Sequence, residues 1–565
     1  MKIRHVSIRN FRGVRELDWV VDSDMVCLIG SGSSCKSTIL HAIEYALAPR
    51  WSLPLTDDDF HQGDTSNPIR ICVTVTGLPD RIASIDSFGL MLRGWHHRTH
   101  RVVDEPIDDS HEAALTVQLR VTDSLEPEWT VVNDREPEGR PIDWRSRQAL
   151  GLAVVGGYVD RELTWARGST LSRALGNDDT ILPLLAGATR AVRETVKSAS
   201  LDELMQQCGR LGEEAAGVGV ALVGELRPGL DLVSGALTGS VLSLYAGDVP
   251  LRQDGLGNRR LLTTMLQHLT VPDGAIIVVD ELEYGLEPAR IRRLVEYLRP
   301  KPGDSHQVIC ATHSPIAIVQ HKADEIHVVR RCSGRVSVAA GDDSLQGAIR
   351  ALSEAMLSSR ILLCEGQTEW GMSQALEQYW IGQGRPPLSY LDVAFACPSS
   401  GGGSSVPKYA MGLKRLGYDV AIWCDADRKL SVSDDQLQQS GIRLIQWPDG
   451  HALETQLFLD VPVCLLDGMV ALACQDSANR QSVEDSLSAR YPDWSAGSPA
   501  SALIEKHDPC LVRACIGNLA KCKKWYKSIE LGHELGKLVL GHLDDMAATE
   551  SARVLRELEE WIYGD

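Results

Sequence analysis

A glycine- and serine-rich segment near the N-terminus limits the fold more than any other feature. Residues 30–38 read Gly-Ser-Gly-Ser-Ser-Cys-Lys-Ser-Thr and follow the apolar run Met25–Ile29. Apolar side chains then recur at helical spacing over Lys36–Leu47, which predicts a helix directly after the segment. A strand, a glycine-rich loop and a helix in this order are typical of a loop that binds phosphates through backbone N–H groups.

Four residues of this loop are the candidate nucleotide ligands: Gly30, Lys36, Ser37 and Thr38. Lys36 would neutralise phosphate charge, and the hydroxyl of Ser37 would hold Mg²⁺. Cys35 stands where the pattern G-x-x-x-x-G-K-[ST] has its second glycine, and its Cβ would crowd the turn. Because a loop rich in serine and glycine can also simply cap a helix, the nucleotide hypothesis depends on later segments.

Two later strand ends carry groups that suit nucleotide hydrolysis. The apolar run Ile276–Val279 leads into Asp280 and Glu281, and the run 308–311 leads to His313. Asp280 would belong to the Mg²⁺ shell, and Glu281 would polarise the attacking water. Any one of these could be a surface or capping residue, but all three segments in this order favour a nucleotide site.

The order of these segments resembles the ABC-type ATPases of the SMC and RecF group, whose first strand is similar to residues 8–13. The resemblance implies a Q-loop glutamine at Gln62 and a signature glycine at Gly255, although Asp254 stands near the usual signature serine. It also implies a dimer in which Gly255 of one copy reaches the γ-phosphate held by Lys36 of the other. The alternative for Gly255 is an ordinary helix-capping loop.

A second set of acidic residues follows two apolar strands, at 361–364 and 420–424. The candidate metal ligands are the carboxylates of Glu365, Glu369, Asp425 and Asp427. Carboxylates at neighbouring strand ends repel one another unless cations lie among them, and Mg²⁺ prefers carboxylate oxygens. Two such ions would stabilise the attacking and leaving oxygens of phosphodiester cleavage.

This acidic pattern resembles the Toprim domain of topoisomerases, bacterial primases and OLD-family nucleases. The resemblance implies that Glu454 is a further metal ligand and that Lys527 stabilises charge on the scissile phosphate. The glycine- and serine-rich loop at 401–405 also lies where that family has such a loop. Glu454 could instead be a solvated helix residue, and Lys527 one member of a solvated lysine run. The implied catalytic set is Glu365, Asp425, Asp427 and Lys527.

The whole order resembles the OLD (overcoming lysogenization defect) family across nearly the full chain. We therefore expect an α/β fold with an ABC-type P-loop ATPase domain over 1–350, interrupted by a helical, dimer-forming insertion near 170–225. A Rossmann-like Toprim domain over 357–470 and a helical region over 471–565, which completes the Toprim site, would follow. The resemblance implies an ATP-regulated, Mg²⁺- or Mn²⁺-dependent DNA endonuclease in defence against phage or plasmids, acting as a homodimer or higher homo-oligomer.

Charge, hydrophobicity and cysteine content limit the classes of molecule that this chain can bind. Its 57 basic and 76 acidic residues give a formal net charge of −19, which argues against a histone-like DNA-binding protein whose whole surface is basic. No apolar run approaches the length of a membrane helix, and residues 1–5 do not resemble a secretion signal. The 14 cysteines form no C-x-x-C pair and fit no usual zinc spacing. We expect a cytoplasmic protein with reduced core thiols and no membrane partner.

DNA contacts are expected at three basic clusters. These are residues 1–15, residues 93–101 and residues 521–527, where Trp525 and Tyr526 could stack on unpaired bases. The alternative for each cluster is a solvated surface.

Two other functions stay open at this point, and a protein partner with them. The chain could be a nucleotide-dependent sensor or scaffold that controls a separate effector, with Cys35 slowing ATP turnover. It could also be a primase-like or a topoisomerase-like enzyme. A topoisomerase needs a nucleophilic tyrosine in a DNA-gate domain; no segment for such a domain is seen, and Tyr526 is the conceivable nucleophile.

Overall fold

The computed structural model divides the chain into two compact units, Met1–Gly341 and Asp342–Asp565. The residues that it describes are 1–84, 87–104, 110–155, 162–165, 169–175, 202–230, 242–270, 274–301, 303–398, 405–427, 429–448, 450–475 and 477–564. Most of the expected helical insertion lies outside these residues; Thr170–Leu175 and Asp202–Gly217 are its described helices. Of the glycine- and serine-rich loop, 401–404 lie outside as well.

The first unit is built on one large mixed sheet. In spatial order, twelve of its described strands are Leu152–Val155, Ile276–Val279, Gln307–Ala311, Met25–Ile29, Ile326–Cys332, Arg335–Ala340, Val14–Val20, Lys2–Phe11, Ile69–Thr76, His111–Val121, Arg93–His96 and Arg101–Val103. Pro127–Val132 pairs with His111–Val121, and Arg140–Pro141 pairs with Pro127–Val132. A separate small sheet contains Leu226–Leu230, Leu242–Ala246 and Val249–Pro250.

The first five strands in that order are parallel, and they set up the nucleotide site. Three of them, Met25–Ile29, Ile276–Val279 and Gln307–Ala311, are buried along their whole length. Continuous apolar runs of this kind are typical of parallel strands covered on both faces. Because parallel strands end at the same sheet edge, the residues after them converge there.

Helices cover this sheet and connect its strands. The longer described helices of the first unit are Lys36–Leu47, Asp202–Gly217, Leu256–Thr270 and Pro288–Leu298. The shorter α-helices are Asp80–Ala83, Trp144–Ala149, Thr170–Leu175 and Pro315–Gln320. Ile39, Leu40, Ile43 and Leu47 lie on the buried face of Lys36–Leu47, as their spacing predicts.

The second unit contains a parallel four-stranded sheet, with strands ordered Val393–Ala396, Arg360–Cys364, Asp419–Cys424 and Arg443–Gln446. Its described α-helices are Gln346–Leu352, Gln367–Gly382, Val406–Arg415, Asp434–Gln439, Leu453–Asp460, Val463–Ala473, Ser477–Arg490, Ser501–Lys506, Pro509–Lys523, Ile529–Leu540 and Glu550–Tyr563. Within the described ranges, no helix has both the length and the hydrophobicity that crossing a bilayer requires.

Candidate functional sites

The phosphate-loop lysine is held inside its own loop. Lys36 is 3% exposed, and its Nζ donates to the carbonyl oxygens of Gly30 at 2.9 Å and Ser31 at 2.8 Å and to Ser34 Oγ at 3.2 Å. Gly30 has φ +140°, and a Cβ there would lie 2.5 Å from the carbonyl oxygen of Val329. The loop therefore requires glycine at Gly30 and presents a buried cation where phosphates would bind.

Cys35 adopts the backbone conformation that the missing glycine would provide. Its φ is 75° and its ψ is 22°, in the left-handed region, which costs a residue with a Cβ about 1 kcal/mol or more. Space for its side chain comes from Gly13, where a Cβ would lie 2.7 Å from Cys35 Sγ. The loop thus keeps its phosphate-binding geometry, at the expense of local backbone strain.

Asp280, the first acid after the strand Ile276–Val279, contacts the phosphate-loop serine. Ser37 Oγ donates to Asp280 Oδ1 at 3.1 Å. This pair of oxygens is the arrangement with which phosphate-loop enzymes hold Mg²⁺, so the residues present fit that ion. Glu281 is exposed and has φ 46°, which directs it away from the regular strand path. Thr38 lies half-buried in the first turn of the next helix.

Glu283 and Arg260, which the sequence patterns did not single out, hold the backbone at the sheet edge where Asp280 and His313 lie. Glu283 accepts hydrogen bonds from the backbone N–H of His313 at 2.6 Å and from the hydroxyl of Thr312. Arg260 is 1% exposed, and its Nη2 donates to the carbonyl oxygen of Asp280 at 2.7 Å. His313 itself is exposed, and its pKa is lowered by partial burial and by the nearby charge of Lys36. The D-E-x-E spacing was the available signal for Glu283.

The structure does not bring all the predicted nucleotide residues together. Gln62 is exposed and lines a cavity of about 610 Å³ with Asn10, Arg15 and Arg70, and no residue of the phosphate loop lines that cavity. Gly255 is exposed at the start of the helix Leu256–Thr270, with open space around its Cβ position. The action of Gly255 on a second copy stays a prediction.

The acidic residues of the second unit lie at the ends of its two central strands. Arg360–Cys364 and Asp419–Cys424 are adjacent and parallel, so Glu365 and Asp425 emerge side by side. Asp425 N–H donates to Glu365 Oε2 at 2.9 Å, and Leu453 N–H donates to Asp425 Oδ1 at 2.8 Å. Three separate elements, the two strand ends and the helix Leu453–Asp460, therefore meet at one carboxylate centre.

Two buried carboxylates complete the centre. Glu369 is 4% exposed and Glu454 is 5% exposed. Glu369 Oε2 has no hydrogen-bond partner among the described residues and lies 2.9 Å from the position that a Cβ on Gly366 would occupy. A buried carboxylate oxygen without a partner is costly, so Glu369 requires either a proton or a cation.

Burial and mutual repulsion raise the pKa values of these carboxyl groups. Burial, followed by the charges of Glu369, Glu454 and Glu365, raises the pKa of Asp425 to about 9. The same causes, with burial first, raise the pKa of Glu369 to about 7, and burial raises the pKa of Glu454. Bound divalent cations would oppose this shift because they stabilise the ionised form.

Close helix packing brings two lysines to the carboxylate centre. The helices Gln367–Gly382 and Ile529–Leu540 touch through glycine, since a Cβ on Gly371 would lie 2.1 Å from a backbone oxygen of the partner helix. Lys527 precedes the second of these helices, and its Nζ lies 3.6 Å from the Cβ position of Gly366.

Lys521 reaches the centre in a similar way. A Cβ on Gly517 would lie 2.8 Å from the Cα of Thr455, so the helices Pro509–Lys523 and Leu453–Asp460 also pack closely. One turn further on, Lys521 Nζ forms a 2.7 Å ion pair with Asp427 Oδ2. Lys521 was grouped with the basic cluster in the sequence, and its specific pairing with Asp427 was not predicted.

The carboxylate centre fits hydrated divalent cations. The oxygens of its five acids, Glu365, Glu369, Asp425, Asp427 and Glu454, do not place three groups within 4.8 Å of one another in the described chain. Mg²⁺ commonly binds through one or two carboxylates and completes its shell with water and substrate phosphate. The donor set and the unpartnered oxygen of Glu369 agree with that mode of binding.

The structure contradicts several of the predicted DNA contacts, because the side chains are buried or already form ion pairs. Trp525 and Tyr526 are fully buried, and the Tyr526 hydroxyl donates to the carbonyl oxygen of Met469 at 2.7 Å. The predictions that they stack on bases, and that Tyr526 acts as a nucleophile, are therefore wrong. Trp95 in the second basic cluster is 2% exposed, and Arg93 pairs with Asp104 and Asp134.

The first basic cluster is largely neutralised as well. Its ion pairs join Lys2 to Asp24, Arg9 to Glu16 and Asp18, and Arg12 to Asp59. Because these cations already pair with acidic side chains of the same unit, less of the charge in residues 1–15 is left for DNA.

The loop around Lys36, the Ser37–Asp280 pair and the parallel strands that carry them define a P-loop ATPase domain. Residues 25–318 match the family described as "AAA domain, putative AbiEii toxin, Type IV TA system", and the chain belongs to that family. No curated protein matches the chain.

Solved SMC heads are similar to this chain at low identity. One is an SMC head bound to the C-winged helix domain of ScpA, with 14% identity, coverage of 60% of this chain and 98% of that chain, and a TM-score of 0.37. Another, bound to the C-terminal domain of ScpA from Pyrococcus furiosus, has 13% identity, 62% and 98% coverage and a TM-score of 0.38. The Thermotoga maritima SMC head has 13% identity, 60% and 100% coverage and a TM-score of 0.30.

Proposed function

We propose that this protein is an ATP-regulated, divalent-metal-dependent DNA endonuclease, with a Toprim-like second unit that cuts phosphodiester bonds. The observation that carries the proposal is the carboxylate centre: five acids and two lysines converge at the ends of two parallel strands. A buried concentration of like charge is unfavourable for stability, so a protein retains it where cations and chemistry require it.

Each side chain has a distinct part in this proposal. Glu365 and Asp425 are oriented by backbone N–H groups and would bind Mg²⁺ or Mn²⁺, with Glu369 and Glu454 as further ligands. Asp427 is held in place by its ion pair with Lys521 and would be a further ligand beside the metals. Bound ions would supply Lewis-acid stabilisation of the attacking and leaving oxygens.

Lys527 would stabilise negative charge on the scissile phosphate. It is exposed while its charge acts on the buried carboxyl groups of Glu369 and Glu454, so it lies between solvent and the centre. A positioned cation of this kind contributes roughly 10²–10³-fold to rate when charge develops in the transition state. DNA would approach the centre from the side that carries Lys521 and Lys527.

ATP binding in the first unit would control this activity. Lys36, Ser37 and Asp280 suit a Mg²⁺–nucleotide complex, with Glu281 and His313 as the candidate hydrolytic residues. By resemblance, two copies would close on ATP through Gly255. A role in defence against phage or plasmids is part of this proposal, by resemblance to the OLD family.

The second candidate is a nucleotide-dependent sensor or scaffold with no cleavage of its own. The left-handed conformation of Cys35 favours it, because strain in the phosphate loop would slow turnover while ATP still binds. A topoisomerase-like reaction has less support, since Tyr526 is buried.

A plasmid-nicking assay distinguishes these candidates. The wild-type protein with Mg²⁺ or Mn²⁺ is expected to convert supercoiled DNA to nicked or linear DNA, and Glu365→Gln is expected to abolish the conversion. Glu377→Gln is the matched control, because Glu377 lies on the helix after Glu365 and bonds to Leu388 N–H outside the centre. Equal activity of wild type and Glu365→Gln would refute the nuclease proposal.

A further inference from the structure

Two thiols and an imidazole converge in the core of the first unit, although the sequence separates them widely. One ligand atom each from Cys27, Cys310 and His321 lies within 4.8 Å of the other two. Cys27 and Cys310 are 0% exposed and His321 is 2% exposed. Among the described residues, no other group of three histidine, cysteine, aspartate or glutamate side chains meets this closely.

The sheet fixes the two thiols relative to each other. Cys27 in Met25–Ile29 and Cys310 in Gln307–Ala311 are direct partners across adjacent parallel strands. Partners in register on neighbouring strands present their side chains to the same face of the sheet. His321 follows the helix Pro315–Gln320 and is within hydrogen-bonding reach of Cys310.

A carboxylate fixes the imidazole ring. His321 Nδ1 lies 3.3 Å from Glu325 Oε2, and Lys322 N–H donates to the same oxygen at 2.9 Å. Glu325 is also paired with Arg299. Histidines that bind metals in proteins commonly donate their second N–H to a carboxylate, which orients the ring toward the ion.

We propose that Cys27, Cys310 and His321 form a structural site for a thiophilic divalent cation, Zn²⁺. Two thiolates would balance the charge of the ion, while Arg299 and Glu325 balance each other, so the buried group would be neutral. Tetrahedral Zn²⁺ with bonds of about 2.0–2.3 Å needs ligand atoms roughly 3.5 Å apart, which small side-chain rotations provide. Water or a side chain that turns toward the ion would complete the fourth position.

A bound ion would connect two strands that carry residues of the nucleotide site. Cys27 is three residues before Gly30, and Cys310 is three residues before His313. An ion bound to both would tie the strand that carries the phosphate loop to the strand that carries His313. This role is independent of the proposed cleavage chemistry in the second unit, and its test does not use DNA.

Metal analysis of the purified full chain tests the proposal. We expect one zinc ion per chain after expression with zinc and removal of loosely bound metal. Exchange for Co²⁺ should give the intense near-ultraviolet absorption of thiolate-to-cobalt charge transfer. The carboxylate centre can also bind Co²⁺ but cannot produce this absorption, because its ligands are oxygens.

Variants locate the ion. Cys310→Ser and His321→Gln should lose the bound zinc, whereas Cys72→Ser should retain it, because Cys72 lies in another strand of the same sheet, Ile69–Thr76. If a ligand variant does not fold, the cobalt spectrum of the wild type still decides. Wild-type protein without stoichiometric zinc and without thiolate–cobalt absorption would overturn the proposal, as would undiminished zinc in folded Cys310→Ser.

Discussion

Replacing Glu369 by glutamine is expected to stabilise the protein without metal and to abolish its metal-dependent function. The pKa of Glu369 rises from 4.5 to about 7, chiefly through burial and then through Glu454. Each unit of pKa shift corresponds to about 1.4 kcal/mol, so the ionised group costs the folded state roughly 3 kcal/mol. Glutamine keeps the shape of the side chain and removes this cost.

The pH dependence follows from the sign of the shift. Between about pH 4.5 and pH 7 the folded state holds a proton that the unfolded state has released, so stability falls as pH rises through this window. The full penalty applies above pH 7. Glu369→Gln should therefore unfold at a higher temperature than wild type at pH 8, and the difference should fade near pH 4.5.

Calorimetry with and without Mn²⁺ is the measurement. Mn²⁺ should raise the Tm of wild type at pH 8 by binding the folded state, and it should raise that of Glu369→Gln much less. Glu377→Gln on the same helix should respond to Mn²⁺ like wild type. A Glu369→Gln protein that is less stable than wild type at pH 8 without metal, and is still stabilised fully by Mn²⁺, would show that Glu369 is neither a destabilising buried charge nor a metal ligand.

Three further predictions concern the phosphate loop, the edge of the ATPase sheet and the packing of the second unit. Cys35→Gly should stabilise the first unit by up to about 1 kcal/mol and speed ATP turnover, because glycine adopts left-handed conformations without strain; unchanged steady-state turnover and Tm would contradict this. Glu283→Ala should lower kcat for ATP hydrolysis more than it weakens ATP binding, because it releases the His313 loop. An equal loss of kcat, measured by kinetics, and of ATP affinity, measured by calorimetry, would count against this role of Glu283. Gly371→Val should destabilise the second unit by ~3 kcal/mol and abolish cleavage, because a Cβ there lies 2.1 Å from backbone; Gly382→Val, at an open position, is the control, and equal unfolding temperatures would argue against the packing account.

Sequence patterns predicted the features that depend on residues close together along the chain or on the order of the strands. The strand, loop and helix around Lys36 follow from apolar periodicity and loop composition within one short segment. The pairing of Glu365 with Asp425 also follows, because acids that end adjacent parallel strands must emerge at the same edge. Local periodicity and strand order carry this information directly.

Other features depend on contacts between distant segments and were not predictable in this way. Trp525 and Tyr526 lie in a stretch of lysines that suggests an exposed surface, yet tertiary packing buries both. Lys521 meets Asp427 at the end of a helix that packs closely on Leu453–Asp460 through Gly517, a contact between distant segments. The cysteines give no zinc spacing along the chain, and Cys27 meets Cys310 only through strand register.

The most direct test of the proposed roles of the two sites compares Lys36→Ala with Asp425→Asn in metal-dependent plasmid cleavage, each with and without ATP. We expect Asp425→Asn to be inactive under every condition, because the proposed carboxylate centre cuts the DNA. We expect Lys36→Ala to retain metal-dependent cleavage but no longer to respond to ATP, because Lys36 belongs to the proposed regulatory nucleotide site. Cleavage by Asp425→Asn at the wild-type rate would show that the carboxylate centre does not cut DNA.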